Sequence, residues 1–222
     1  MTICGSFALV NSVGASTPSA ASLVASAERN AIAGGAVHEV IVTKRNGETL
    51  TAVNDIGTNE GRQIITLTGG SMGEVIAFDS QNMAYLKGNE VGLKNYFGFP
   101  PSAAAKYAQE WMKAVPSDEA WSNIVGSTTL KTDFDTDLRI VDPVLSSRYV
   151  TINGIRAYEI SGTGASSANT PATSVKLYVS DTRKSLPLRL IEVAKGVAAT
   201  IDWSKWGEEL SLEAPSKFVP LP

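Results

Sequence analysis

Cysteine and histidine are almost missing from this sequence: Cys4 and His38 are the single examples in 222 residues. A metal centre built from those ligands is excluded, and so is an internal disulfide. Basic runs are missing as well. With 19 Lys and Arg against 22 Asp and Glu the formal charge is −3, and such a chain carries no electrostatic footprint for nucleic acid. No stretch reaches the ~20 apolar residues of a membrane-spanning helix. Charged residues make up only 18%. What is there is 43% apolar material, enough for a packed core in one domain, with 19 glycines and many Ser, Thr and Ala. That balance leans toward a secreted or envelope-exposed bacterial protein.

Residues 1–17 read as a tail and 18–222 as one domain, with no repeat or linker. In the tail, Phe7-Ala8-Leu9-Val10 before Ser12-Val13-Gly14-Ala15 has the form of an h-region ending at a small-residue cleavage site, though no charged n-region precedes it. Cys4 followed by Gly5-Ser6 also suits a lipidated cysteine with its tether, although Ile3 stands where a small residue is expected. A plain tail with an idle thiol is an equal reading.

A helix is expected over Pro18–Ala33, capped by Thr17 and ended by Gly34-Gly35. Strands follow at 38–44 and 48–54, joined by Asn46-Gly47, whose two turn positions need positive φ. Three more are expected at 63–68, 74–79 and 83–87, with Gly69–Gly73 as the turn between the first two. The pattern then turns helical, at 89–96, 102–110, 118–125 and 130–140. Leu130, Phe134 and Leu138 fall on one stripe of the last. Strands resume at Arg148, with Asn153-Gly154 joining 149–152 to 155–161 and a small-residue loop at 162–173. Further strands are expected at 175–179, 188–194, 197–203 and 209–213. Tight turns imply an antiparallel sheet, and the helical block must cover one of its faces, which makes the fold class α+β.

The motifs carry little chemistry. Gly69-Gly70-Ser71-Met72-Gly73 matches the G-x-S-x-G nucleophile pattern, which needs a following helix and a later histidine. Here a strand pattern follows, and His38 comes earlier, so a hairpin loop is the better reading. Asp133-Phe134-Asp135-Thr136-Asp137 begins like a calcium loop, but Leu138 and Val144 stand where glycine and glutamate are required. Gly162-Thr163-Gly164 lacks the third glycine and the helix of a phosphate-binding turn. Trp203 and Trp206 read as core or rim packing rather than ligand-facing. The run Tyr96-Phe97-Gly98-Phe99-Pro100-Pro101 either packs helix on sheet or forms the mouth of an apolar pocket.

Several segments together resemble one family. They are Tyr85-Leu86-Lys87-Gly88-Asn89, Ala103-Ala104-Ala105-Lys106-Tyr107 leading to Trp111 and Pro116-Ser117, and Asn153-Gly154-Ile155-Arg156-Ala157-Tyr158. Leu177-Tyr178-Val179, Leu186-Pro187-Leu188-Arg189, Asp202-Trp203 and Glu213-Ala214-Pro215 complete the set. In order and spacing they resemble actinobacterial cell-envelope lipoproteins with a LolA/LolB-like fold, akin to mycobacterial glycolipid carriers, over residues 36–215. The resemblance implies a curled antiparallel sheet, a half-barrel of about ten strands, with helices on its concave face and an apolar cavity between. It also implies export to the cell envelope, with a possible membrane-anchored state.

The function expected on these grounds is non-enzymatic. The chain would bind or carry a lipid, an acyl chain or a lipoprotein anchor, with a membrane surface as a possible further partner and no cofactor, metal or catalytic residue. Candidate lining residues are Tyr96, Phe97, Phe99, Leu130, Phe134, Leu138, Leu177 and Leu188, from the helical block and the facing strands. The alternative is a structural or protein-interaction module of the same fold with a filled core. An enzyme stands last, on the G-x-S-x-G match alone.

Overall fold

The computed structural model describes residues 18–68, 70–78, 81–118, 121, 125, 128–130, 134, 138, 140–164 and 173–222. The tail with Cys4 lies outside these residues, as do Asp133, Asp135 and Asp137 of the calcium-like segment.

Helix α1 spans Ala20–Ile32 and starts two residues later than expected, because Ser19 rather than Thr17 caps it: the Ser19 hydroxyl accepts from the Ser22 amide at 3.2 Å. Gly34 and Gly35 end it, Gly35 at φ 83°. Strands β1 (Ala36–Arg45) and β2 (Glu48–Gly57) form the first hairpin, with Asn46 and Gly47 at φ 52° and 84° as the two-residue turn requires. Strands β3 (Glu60–Leu67), β4 (Gly70–Phe78) and β5 (Met83–Gly88) continue the meander. Helices α2 (Glu90–Asn95) and α3 (Pro101–Tyr107) and the short β6 (Met112–Ala114) follow. Trp121, Val125, Leu130 and Phe134 are helical positions in the next segment. The second meander is β7 (Ile140–Ile152), β8 (Ile155–Gly164), β9 (Ser174–Ser180), β10 (Pro187–Ala194) and β11 (Val197–Ser204), and β12 is the pair Val219–Pro220.

Among the described residues these make one curled, unclosed twelve-stranded sheet in the order β12-β6-β5-β4-β3-β2-β1-β11-β10-β9-β8-β7. The two meanders fuse where β1 pairs β11. Every pairing of a named strand is antiparallel except β12 with β6. The half-barrel of the α+β class is therefore present, with somewhat more strands than expected.

Four expectations about elements need correction. The turn before β4 is not Gly69–Gly73, since Gly70 onward is strand, with a bulge opposite Ile65 and Thr66. Gly73 is glycine because a Cβ there would stand 2.6 Å from the Phe97 ring. The nucleophile-like motif is thus a strand packed under an aromatic, and Ser71 lies within it rather than in a loop. Second, β7 begins at Ile140 rather than Arg148, and two register shifts let it bend around Asp142, which sits at φ 49°. Third, β8 runs through Gly164, so Gly162 and Thr163 are paired with Val175 and Ser174 rather than looped out. Last, residues 209–213 form no strand. Leu212 there packs beside Ile76, Phe78 and Tyr85 without joining the ladder, which gives the alternation another cause.

Register carries face identity from strand to strand, since directly opposed residues point the same way. One row crosses the helix-bearing face as Trp203, Glu39, Asn54, Gln63, Val75, Leu86 and Met112. At its Trp203 end, α1 buries Ala20, Leu23, Ala27 and Ala31 in a cluster with Leu177, Leu190 and Ile201. At its Met112 end, Leu93 of α2 and Ala104 of α3 pack with Val75, Ala84 and Leu86. The same concave face thus holds two apolar clusters with polar residues between them.

Candidate functional site

The larger cluster is built around Trp203 of β11. Phe134 lies against it with ring centroids 5.4 Å apart, and Trp206 also packs on Phe134, at 5.6 Å. On the flank of α1 beside its sheet contacts, the cluster opens into a cavity of ≈ 390 Å³. Val24 and Ala25 of α1, Phe134, Leu138, Ile140 and Pro143 line it, and among the described residues Glu28 is the charged one on its wall. The walls face each other because α1 is amphipathic: one stripe meets the sheet, and the adjoining stripe of Ala21, Val24 and Ala25 remains for the segment that leads into β7.

A second cavity of ≈ 430 Å³ sits at the rim, where α1 ends, among Gly34, Gly57, Glu60, Phe78, Glu208 and Leu210. Its lining is mixed and acidic.

The eight candidate residues do not share one chamber. Phe134 and Leu138 line the first cavity, and Leu130 and Leu177 pack in the cluster beside it. Phe97 and Phe99 pack against the second cluster, and Tyr96 is 42% exposed on the loop after α2. Leu188 points away from all of these. A bulge between Pro187 and Arg189 turns it to the convex face, where it meets Ala157 and Tyr178. Its position in an alternating run gave no sign of that turn.

The polar stretch between the clusters is absent from the sequence reading. Glu39 and Asn54 are 0% and 1% exposed. The Glu39 carboxylate accepts from the Trp203 indole N–H at 2.8 Å and from Asn54 Nδ2 at 2.5 Å. Gln63 continues the row, buried, and Thr128 lies over Gly61, where a Cβ would collide with the Thr128 carbonyl. A signal was available. In Val37-x-Glu39-x-Ile41, Ala52-x-Asn54-x-Ile56 and Gly61-x-Gln63-x-Ile65, each polar residue occupies the buried phase of its own strand.

The convex face carries ordinary ion pairs. His38 Nδ1 meets Asp55 at 2.7 Å, Arg62 meets Glu74 at 2.6 Å, and Arg189 meets Asp202 at 2.6 Å. At the β7–β8 edge, Arg156 lies 4.4 Å from the centre of the Tyr149 ring and pairs with Asp181. Hydrogen bonds from Tyr158 and Arg156 hold the Asp181 carboxyl below its usual range. Among the described residues no cluster of His, Cys, Asp and Glu is placed to hold a metal, and no helix is long and apolar enough to cross a membrane.

A curled sheet with helices across its concave side is a fold shared with solved structures of two mycobacterial lipoproteins. The chain matches LprF from Mycobacterium bovis with a TM-score of 0.59 and 12% identity, over 89% of this chain and 97% of that one. It matches the lipoprotein LppX of Mycobacterium tuberculosis with a TM-score of 0.55 and 16% identity, over 87% and 99%. The fold that the sequence resemblance implied is therefore the fold found. No family model matches the chain, and no curated protein matches its sequence.

Proposed function

We propose that this chain is a non-enzymatic binding or carrier protein of the cell envelope that takes an acyl chain or lipid into the cavity between α1 and the segment 134–143. The observation that carries the reading is the cavity itself. At ≈ 390 Å³ it falls in the range of ligand pockets, ~300–1,000 Å³, and among the described residues its walls are Val24, Phe134, Leu138, Ile140 and Pro143, with the Glu28 carboxylate beside them. Such a lining rewards apolar burial at about 25 cal/mol per Å² and asks for few polar groups. The fold shared with LprF and LppX supports the same reading.

The test is titration with a fluorescent fatty acid, beside native mass spectrometry of protein purified from its own host. Saturable binding that weakens in Phe134→Trp, where the larger ring narrows the cavity, is the expected result. A second reading is favoured by one observation: Phe134 is buried in contact with both Trp203 and Trp206, as in a filled core. Absence of binding by wild type and by Phe134→Trp alike would decide for a structural or protein-interaction module.

A further inference from the structure

The α2–α3 connection is a surface without acidic residues in a chain of net negative charge. From Val91 to Gln109 the sequence holds no Asp or Glu, although the whole has 22, and Lys94 and Lys106 give the tract a positive charge. Glu90 and Glu110 stand at its two ends. Its side chains are those of an apolar–aqueous boundary. Val91 is 51% exposed and Tyr96 42%, and Gly98, Pro100, Pro101 and Ser102 are exposed around the half-buried Phe97 and Phe99.

The loop is also held firmly. Phe97 packs on the bare backbone of Gly73, Phe99 donates its backbone N–H to the Leu93 carbonyl at 2.9 Å, and both rings rest on the second core cluster. Tyr96 stacks edge-on against Phe97 at 5.0 Å, so its ring is presented at a fixed place. Lys94 stands in the last turn of α2, and Lys106 lies 4.7 Å over the Tyr107 ring in α3.

From this placement we propose that α2, α3 and their connection, through the exposed Val91 and Tyr96 and the lysines Lys94 and Lys106, dock the protein on the surface of an anionic lipid bilayer. Aromatic side chains with an apolar body and a polar edge settle at the headgroup level, and lysine stems bury along apolar surface while the ammonium meets anionic headgroups. The two exposed lysines and the absence of acid between Glu90 and Glu110 complement anionic headgroups. The proposal does not depend on what the cavity beside α1 holds.

The experiment is co-sedimentation of the full, unlipidated chain with vesicles of phosphatidylcholine mixed with phosphatidylglycerol, and with vesicles of phosphatidylcholine alone. Wild type should bind the mixed vesicles, more weakly as salt rises, and bind the uncharged ones far less. The double variant Lys94→Ala/Lys106→Ala should bind the mixed vesicles roughly thirtyfold more weakly, from about fivefold per lysine. Tyr96→Ser should weaken binding to the mixed vesicles several-fold and leave the salt dependence in place. All these residues are exposed or half-buried, and an unchanged melting temperature would show that the variants fold. Failure of wild type to bind mixed vesicles overturns the proposal and leaves a protein partner for this surface. Equal binding by wild type and the double lysine variant overturns it too. Fatty-acid uptake measured on the same samples reports separately on the cavity: variants that lose vesicles and keep the fatty acid support the docking surface.

Discussion

The two ends of the concave face bury their apolar surface in different ways. Under α2 and α3 the sheet offers Val75, Ala77, Ala84 and Ala114, and the helix comes down onto it until backbone meets backbone. A Cβ on Gly92 of α2 would fall on the Met72 carbonyl of β4. Under α1 the sheet offers Trp203, Leu177, Leu190 and Ile160, which fill the floor and leave an opening along the helix flank. The difference teaches where space can be made. In the α1 half a rotamer change of Phe134 or Leu138 alters the cavity. In the α2 half the contact at Gly92 opens only by moving main chain, because there it has no side chain to give way.

The comparison is broken most severely at Phe134. Phe134→Ala should lose ~3–5 kcal/mol of stability by chemical denaturation, since the buried ring packs on two tryptophans. A loss well under that range would mean that the α1 half is looser than its packing indicates. Next comes the opposite half: Gly92→Ala should cost about 1–3 kcal/mol by overpacking and leave fatty-acid affinity unchanged. A change in affinity without a stability loss would undo the assignment of ligand space to α1.

Between the halves, Trp203→Phe keeps a ring under Phe134 and removes the indole N–H that Glu39 accepts. The expected cost is about 1–2 kcal/mol, for a buried acceptor left short of a donor. The same loss in a Glu39→Gln background would show that the two do not act as a pair.

The smallest effect belongs to Glu192. It lies half-buried on β10 beside Val175, and desolvation raises its carboxyl above the ordinary 4.5. Because the folded state holds the proton more tightly than the unfolded chain, this group costs nothing below the ordinary value. Stability falls as pH rises from there through the raised one. Glu192→Gln should therefore match wild type in melting temperature at acid pH and exceed it slightly at neutral pH. A wild type that gains on the variant as pH rises would reverse the sign and refute the cause.

Much of the fold is legible in the chain because its turns are chemically explicit. Asn46-Gly47 and Asn153-Gly154 mark two hairpins, and the switch from period two to helical spacing near residue 89 separates the meanders. The short strands β6 and β12 are not legible. Three and two residues are too few for a period, and their pairing depends on the chain returning from residue 205 onward. Leu130, Phe134 and Leu138 were recognisable as a buried stripe, and they fall in one cluster. Leu188 was unreadable because a bulge resets the parity of its strand. The cavity's other wall was unreadable for a different reason: periodicity marks which stripe of α1 is apolar but says nothing of what the neighbouring stripe will face.

The buried row Glu39–Asn54–Gln63 bears on how the chain finds its alignment. Strands rich in Val and Ile can slide past one another at little cost, for apolar neighbours are nearly interchangeable. Sliding β2 by one residue against β1 would send Asn54 to the convex face, and sliding it by two would set its amide opposite Val37 or Ile41. Either slip takes from the buried Glu39 carboxylate the Asn54 donor it now holds at 2.5 Å. The row therefore works as a key cut into an otherwise smooth surface: misaligned sheets are penalised before the helices close over them, and the native alignment keeps the Asn54 amide on the carboxylate.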